Sequence, residues 1–183
     1  NGKIYQKPEM VKTEDPYRKT KGREFLMSEK TKEKTCAFYA SDYHFEMISL
    51  PFIEKNLESN KEIIVLTEHD LEDTMKVLIS KINLKEEKKE NLSKINWNHD
   101  DLKKFKQIKR NMEENKNTII FIKGKENYIK NINKNIEKWV ENNSNAKIID
   151  CYDINEIESN LTSVMGSYNN ILNTSGETKI ENL

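Results

Sequence analysis

Three histidines, His44, His69 and His99, each stand just past the end of an apolar, strand-like run. Acids crowd beside them: Asp42, Glu68, Asp70, Asp100 and Asp101. Imidazoles converging next to carboxylates can bind a metal or shuttle protons. Helix capping competes with that chemistry, because helix N-termini favour Asp, Asn and Ser on steric and dipolar grounds. Asp42, Asp70 and Asn98 fit that role directly. Capping is the leading reading, a polar ligand pocket comes second, and a metal site comes last, so no metal is assigned.

Other signatures are missing. The turn after the first run reads Tyr39-Ala-Ser-Asp-Tyr-His44 and contains no glycine. Neither G-x-G-x-x-G nor a phosphate-loop pattern occurs in this five-glycine chain, so classical ATP or NAD binding is not expected and no cofactor is assigned. No G-x-S-x-G elbow occurs, and Cys36 and Cys151 lie inside expected strands, which leaves no recognisable nucleophile. A response-regulator receiver needs an acidic pair after its first strand and an acceptor Asp ending its third. Here those places hold Ser41-Asp42 and Trp97-Asn98.

The elements that must carry these residues alternate. Apolar runs at Thr35–Tyr39, Glu62–Thr67, Leu92–Trp97, Thr118–Ile122 and Ala146–Tyr152 are each followed by a helical pattern. Such alternation indicates βαβ units and a three-layer α/β/α sandwich around a mainly parallel sheet of at least five strands. The first helix spans Ser41–Glu58, and Pro51 should kink or restart it. Leu71, Met75, Leu78 and Ile82 form the stripe of the second helix. Lys85–Glu90 reads as an exposed charged loop. Leu102, Phe105, Ile108 and Met112 mark the next helix, and Ile129, Ile132, Ile136, Trp139 and Val140 the one after the fourth strand. A last long helix from about Ile154 should carry Ile157, Leu161, Val164, Tyr168, Ile171 and Leu172. Trp139 is expected in the core, and Trp97 divides evenly between core and pocket wall.

With 183 residues the chain can bury about 70% of its unfolded surface as a single domain. The 31 basic and 31 acidic residues cancel, which argues against a general nucleic-acid binder. Neither a signal peptide nor a run of 18 apolar residues stands out, so a cytoplasmic protein with no membrane partner is expected. Residues 1–34 read as a polar extension with ten basic and six acidic residues, partly ordered by Ile4, Tyr5 and Phe25–Met27. A single α/β domain is expected over residues 35–183. Because the chain opens on Asn1 rather than Met, a longer protein is an open reading.

The stretches Cys36-Ala-Phe-Tyr-Ala40, Leu50-Pro51-Phe52, Leu57, Glu62-Ile-Ile-Val-Leu66 and Cys151-Tyr-Asp153 resemble, in order and pattern, the MEDS sensory domain over residues 35–176. Two positions depart from that pattern. Thr35 stands where a His often precedes the first strand, and Asn56 replaces a Gly before Leu57. The ligand role of that first His is therefore not carried over. The resemblance implies a domain similar to RecA/KaiC-like ATPases without the phosphate loop, and a sensory or regulatory role.

In open parallel sheets the ligand crevice lies beyond the carboxyl ends of the strands. That rule selects Tyr39, Ser41, Asp42, His44, Glu68, His69 and Trp97 as candidate ligand-binding residues, with Tyr39 and Trp97 as apolar walls. The expected function is non-catalytic recognition of a small molecule, or of a regulatory protein such as a kinase or transcription factor. One rival is an enzyme acting on a nucleotide or phosphorylated small molecule, with Glu68 or His44 as general base. The other is a pure protein–protein interaction module.

Overall fold

The computed structural model describes residues 32–183, and Lys32–Leu183 cluster as one unit. The expected packing of Ile4, Tyr5 and Phe25–Met27 lies outside the described residues. Six strands form the sheet: β1 (Thr35–Tyr39), β2 (Glu62–Thr67), β3 (Thr118–Gly124), β4 (Ala146–Asp153), β5 (Asn170–Asn173) and β6 (Gly176–Lys179). Their order is β2-β3-β4-β1-β5-β6, parallel except for the antiparallel β5–β6 pair. The expected three-layer α/β/α sandwich is the fold observed.

Side chains alternate between two apolar layers, as the two-residue period of a strand requires. Ala37, Tyr39, Ile63, Val65, Ile119, Phe121, Ile149, Cys151 and Leu172 face one layer. That layer is closed by α1 (Asp42–Glu58), α2 (Glu72–Lys81) and α3 (Glu86–Ser93). Cys36, Ile64, Leu66, Ile120, Ile122 and Tyr152 face the other, under α4 (Asp101–Glu113), α5 (Glu126–Val140) and α6 (Leu161–Met165). Both faces of the sheet are covered, which explains the continuous Ile/Val/Leu runs of β2 and β3. Ile129, Ile132, Ile136 and Val140 of α5 are buried as expected, while Trp139 is only half-buried against Phe105.

Four expectations need correction. The run Leu92–Trp97 is no strand: Leu92 lies in the last turn of α3, and Trp97 turns inward so that its indole Nε1 donates to the Leu92 carbonyl at 3.1 Å. Its apolar side chains plug the end of the core from a loop instead of alternating across a sheet. Lys85–Glu90 is largely helix α3 and not a loop, tied to α1 by Lys88, which bridges Glu54 and Glu58. Pro51 does not restart α1, which runs unbroken over 17 residues. The carbonyl deprived of a partner is that of Met47, four residues back on an exposed part of the helix, where water can satisfy it.

The long final helix does not form. A 3-10 turn (Ile154–Glu156), the five-residue α6 and the β5–β6 hairpin take its place. Ile171 and Leu172 point to opposite layers, so a strand period underlies what reads as a helical stripe. The hairpin closes through Thr174–Ser175, and Gly176 follows at φ +108, a conformation that L side chains rarely adopt.

Candidate functional site

Chain connections make the crevice. From β1 the chain leaves through α1 on one face and runs to the edge strand β2. It then returns through α4 and α5 on the other face, and β4 lands beside β1. The adjacent ends of β1 and β4 thus feed connections on opposite faces, which is a topological switch point. A cavity of about 310 Å³ opens there, lined by residues that include Tyr39, Ser41, Asp42, Glu68, His69 and Lys123.

Lys123 occupies the centre. It is the next-to-last residue of the Ile-rich β3, its side chain only 6% exposed, and its Nζ meets Asp42 Oδ1 at 2.8 Å. The ammonium also lies 4.4 Å from the centroid of the Tyr39 ring, a cation–π contact. Tyr39 is itself buried, and loss of solvent together with the charges of Asp153, Asp42 and Glu68 pushes its phenol well above the usual range. It therefore stays a neutral wall. Gly124 follows because nothing larger fits: an added Cβ would sit 2.7 Å from Tyr128 and 3.0 Å from Glu68 Oε2. That close approach lets Glu68 Oε2 accept from the Lys125 amide at 3.0 Å.

The β1–α1 turn is closed by its own side chains. Ser41 is the N-cap of α1, its Oγ accepting from the His44 amide at 3.1 Å, and His44 Nδ1 accepts from the Ala40 amide at 3.1 Å. Two turn amides are thereby consumed, and no glycine-built cradle for phosphate remains. Charge points the same way. Asp42, Glu68, Asp153 and Glu156 stand against Lys123 and Lys125, a formal −2 with His69 neutral. Lys125 in turn pairs with Glu156 at 3.2 Å, which raises its pKa, chiefly through that hydrogen bond.

The candidate residues separate accordingly. The crevice brings together Tyr39, Ser41, Asp42, Glu68 and His69. His44 caps the turn and does not line it. Trp97 is core, resolving its even division, and His99 lies before α4 in an exposed 3.4 Å contact with Asp70. Capping explains much of the acidic crowding: Asp70 accepts from the Glu72 amide, Asp100 from Lys103 and Asn98 from Asp100. Asp42 is the exception, since Ser41 caps α1 and frees Asp42 to pair with Lys123. Among the described residues no three His, Cys, Asp or Glu side chains are grouped to hold a metal ion.

Lys123, Lys125, Asp153 and Glu156 line the crevice without having been selected from the sequence. A signal for Lys123 exists, a lone lysine closing a run of four apolar residues at a strand's carboxyl end. Among the described residues no helix is long and apolar enough to cross a membrane. Compared with protein-family models, curated proteins and solved structures, the chain has no match.

Proposed function

We propose that this chain is a cytoplasmic, non-catalytic sensory or regulatory domain of the MEDS type. On this reading it recognises a small polar molecule in the crevice beyond β1, β2, β3 and β4. The carrying observation is that the crevice's reactive groups are already engaged with one another. Lys123 is held by Asp42, Glu68 by the Lys125 amide and Lys125 by Glu156. Groups locked in this way orient a ligand better than they transform one. The net acidity favours a ligand with a cationic or hydrogen-bond-donating group over a phosphorylated one. The MEDS part of the reading leans on packing residues, since Cys36 and Ala37 are buried and Phe52 stacks edge-on against Phe121 at 6.2 Å.

A thermal-shift and calorimetric screen of the purified chain against metabolites, metals and nucleotides tests the proposal. Saturation at 100 times the dissociation constant adds about 2.7 kcal/mol of stability, enough to move the midpoint by several degrees. Hits that vanish with Asp42→Ala or Glu68→Ala and persist with His99→Ala support the crevice. Nucleotide turnover abolished by Glu68→Ala overturns it in favour of an enzyme.

A second reading has its own observation. Tyr43 and Met47 are exposed one turn apart on α1, at 62% and 45%, as apolar side chains available to a protein partner such as a kinase or transcription factor. Silence across the screen with a partner captured through Tyr43 would favour that interaction module.

A further inference from the structure

A second and larger cavity lies on the opposite face of the sheet. It is a groove of about 690 Å³ running along α5, with α6 as its other wall. The groove exists because α6 has only five residues and leaves β4 and the start of β1 incompletely covered. Its volume falls within the range of small-molecule sites. Ile129 and Val164 form apolar walls, and Ile148, Asp150 and Tyr152 of β4 lie at its floor.

Asp150 sets the chemistry. It is only 7% exposed, accepting from Asn133 Nδ2 on Oδ1 at 2.9 Å and from the Tyr168 hydroxyl on Oδ2 at 2.6 Å. The Tyr152 hydroxyl lies 2.6 Å from that of Tyr168 and, since the Tyr168 proton is committed to Asp150, donates to it. A carboxylate offers about four acceptor positions, so lone pairs remain on both oxygens. Among the described residues Asp150 forms no ion pair. Four lysines and four glutamates line the rest of the groove and cancel, so Asp150 is its one unbalanced charge. A buried charge is stable only when paired and hydrogen-bonded, and here the hydrogen bonds are present while no counter-charge pairs with it among the described residues.

We propose that this groove is a binding site for a hydrophobic primary amine, its ammonium on Asp150 and its hydrocarbon part along the apolar walls. An anion would be repelled, and a neutral apolar molecule would leave the carboxylate uncompensated. Such a site is independent of the crevice and of the function proposed for it.

Titration calorimetry of the full 183-residue chain with tryptamine tests the proposal, with indole-3-propionate as the matched anion. The expected result is saturable one-site binding of tryptamine, at least tenfold weaker in Asp150→Asn, and none of the anion. Binding should also weaken as the pH falls below about 6, where Asp150 takes up its proton. The other groups facing Asp150 are Cys36 on β1, Tyr152 on β4 and Tyr168 beyond α6, with Lys34 contributing at longer range and Cys151 turned to the other layer. Burial pushes those thiols and phenols up, so none of them titrates in that interval. Ser163→Trp, on the exposed side of α6, should block the groove without touching Asp150. It decides the matter should the Asp150 variant fail to fold. Absence of saturable binding, equal affinity in either variant, preference for the anion, or loss of binding on Asp42→Ala would each overturn the proposal. The last outcome would place the amine in the crevice.

Discussion

Asp150→Asn should remove a pH-dependent destabilisation of about 3 kcal/mol from the fold. Burial between β4, α5 and Tyr168 pushes the carboxyl up from the ordinary 3.8 to about 6, and the hydrogen bonds from Tyr168 and Asn133 offset that only in part. A difference of about two pH units at 1.36 kcal/mol each gives the figure. The sign follows from proton binding. Between about pH 4 and pH 6 the native state holds a proton that the unfolded chain has released, so native stability falls as the pH rises through that window. Below it the penalty is absent, and above it the penalty is complete. The amide variant has no such titration, yet it can accept from Asn133 and donate to Tyr168, reversing the hydroxyl chain. Urea unfolding of both proteins at several pH values, with unchanged m-values, isolates the effect as a difference in stability. Carboxylates with the opposite sign, such as Glu126, held low chiefly by the Ser159 amide, cancel in that difference. The variant should gain about 3 kcal/mol on the wild type between about pH 4 and pH 7.5. A difference independent of pH would refute the reasoning, because it would mean that Asp150 ionises in the fold as easily as in water.

Asp42→Ala strips Lys123 of its partner, and a buried lysine paired with a half-exposed acid should lose about 1–2 kcal/mol by chemical denaturation, between the exposed and buried extremes. Gly124→Ala drives a Cβ into Tyr128 and Glu68, so it should lower the thermal midpoint and perturb the amide signals of Glu68 and Lys125 in heteronuclear NMR. Lys104 is 1% exposed and burial lowers its pKa to about 8, so stability should rise between about pH 8 and pH 10, and Lys104→Met should abolish that rise. Leu172→Ala should cost about 2–5 kcal/mol by urea unfolding, against near-neutrality for the exposed Leu102→Ala.

How far the sequence can be read depends on whether a local pattern has a second physical solution. The runs in β2 and β3 are continuous, β-branched and too short for buried helices, so a sheet covered on both faces accommodates them. The stretch Leu92–Trp97 is apolar only at Leu92, Ile95 and Trp97, and its fate depends on Lys88 reaching Glu54 and Glu58 and on an indole finding the Leu92 carbonyl. Both are long-range or side-chain events that periodicity does not encode. The spacing of Val164, Tyr168 and Ile171 mimics a helix stripe, but Gly166 and the Asn169-Asn170 pair break it, and the two-residue turn before Gly176 favours a hairpin. Similar reasoning separates the site residues. Tyr39, Ser41, Asp42, Glu68 and His69 follow from strand ends alone, because the crevice rule needs only the ends of parallel strands. The expected rim position of His99 and Trp97 depends on a strand that does not form, so both fall away with it. Lys123 was legible in principle. A lysine near the end of a buried strand must meet an anion or reach solvent, and the acid in the first turn of α1 is within reach because β1 lies inside the sheet, next to β4. Strand order, and not residue type, therefore decides which charges meet.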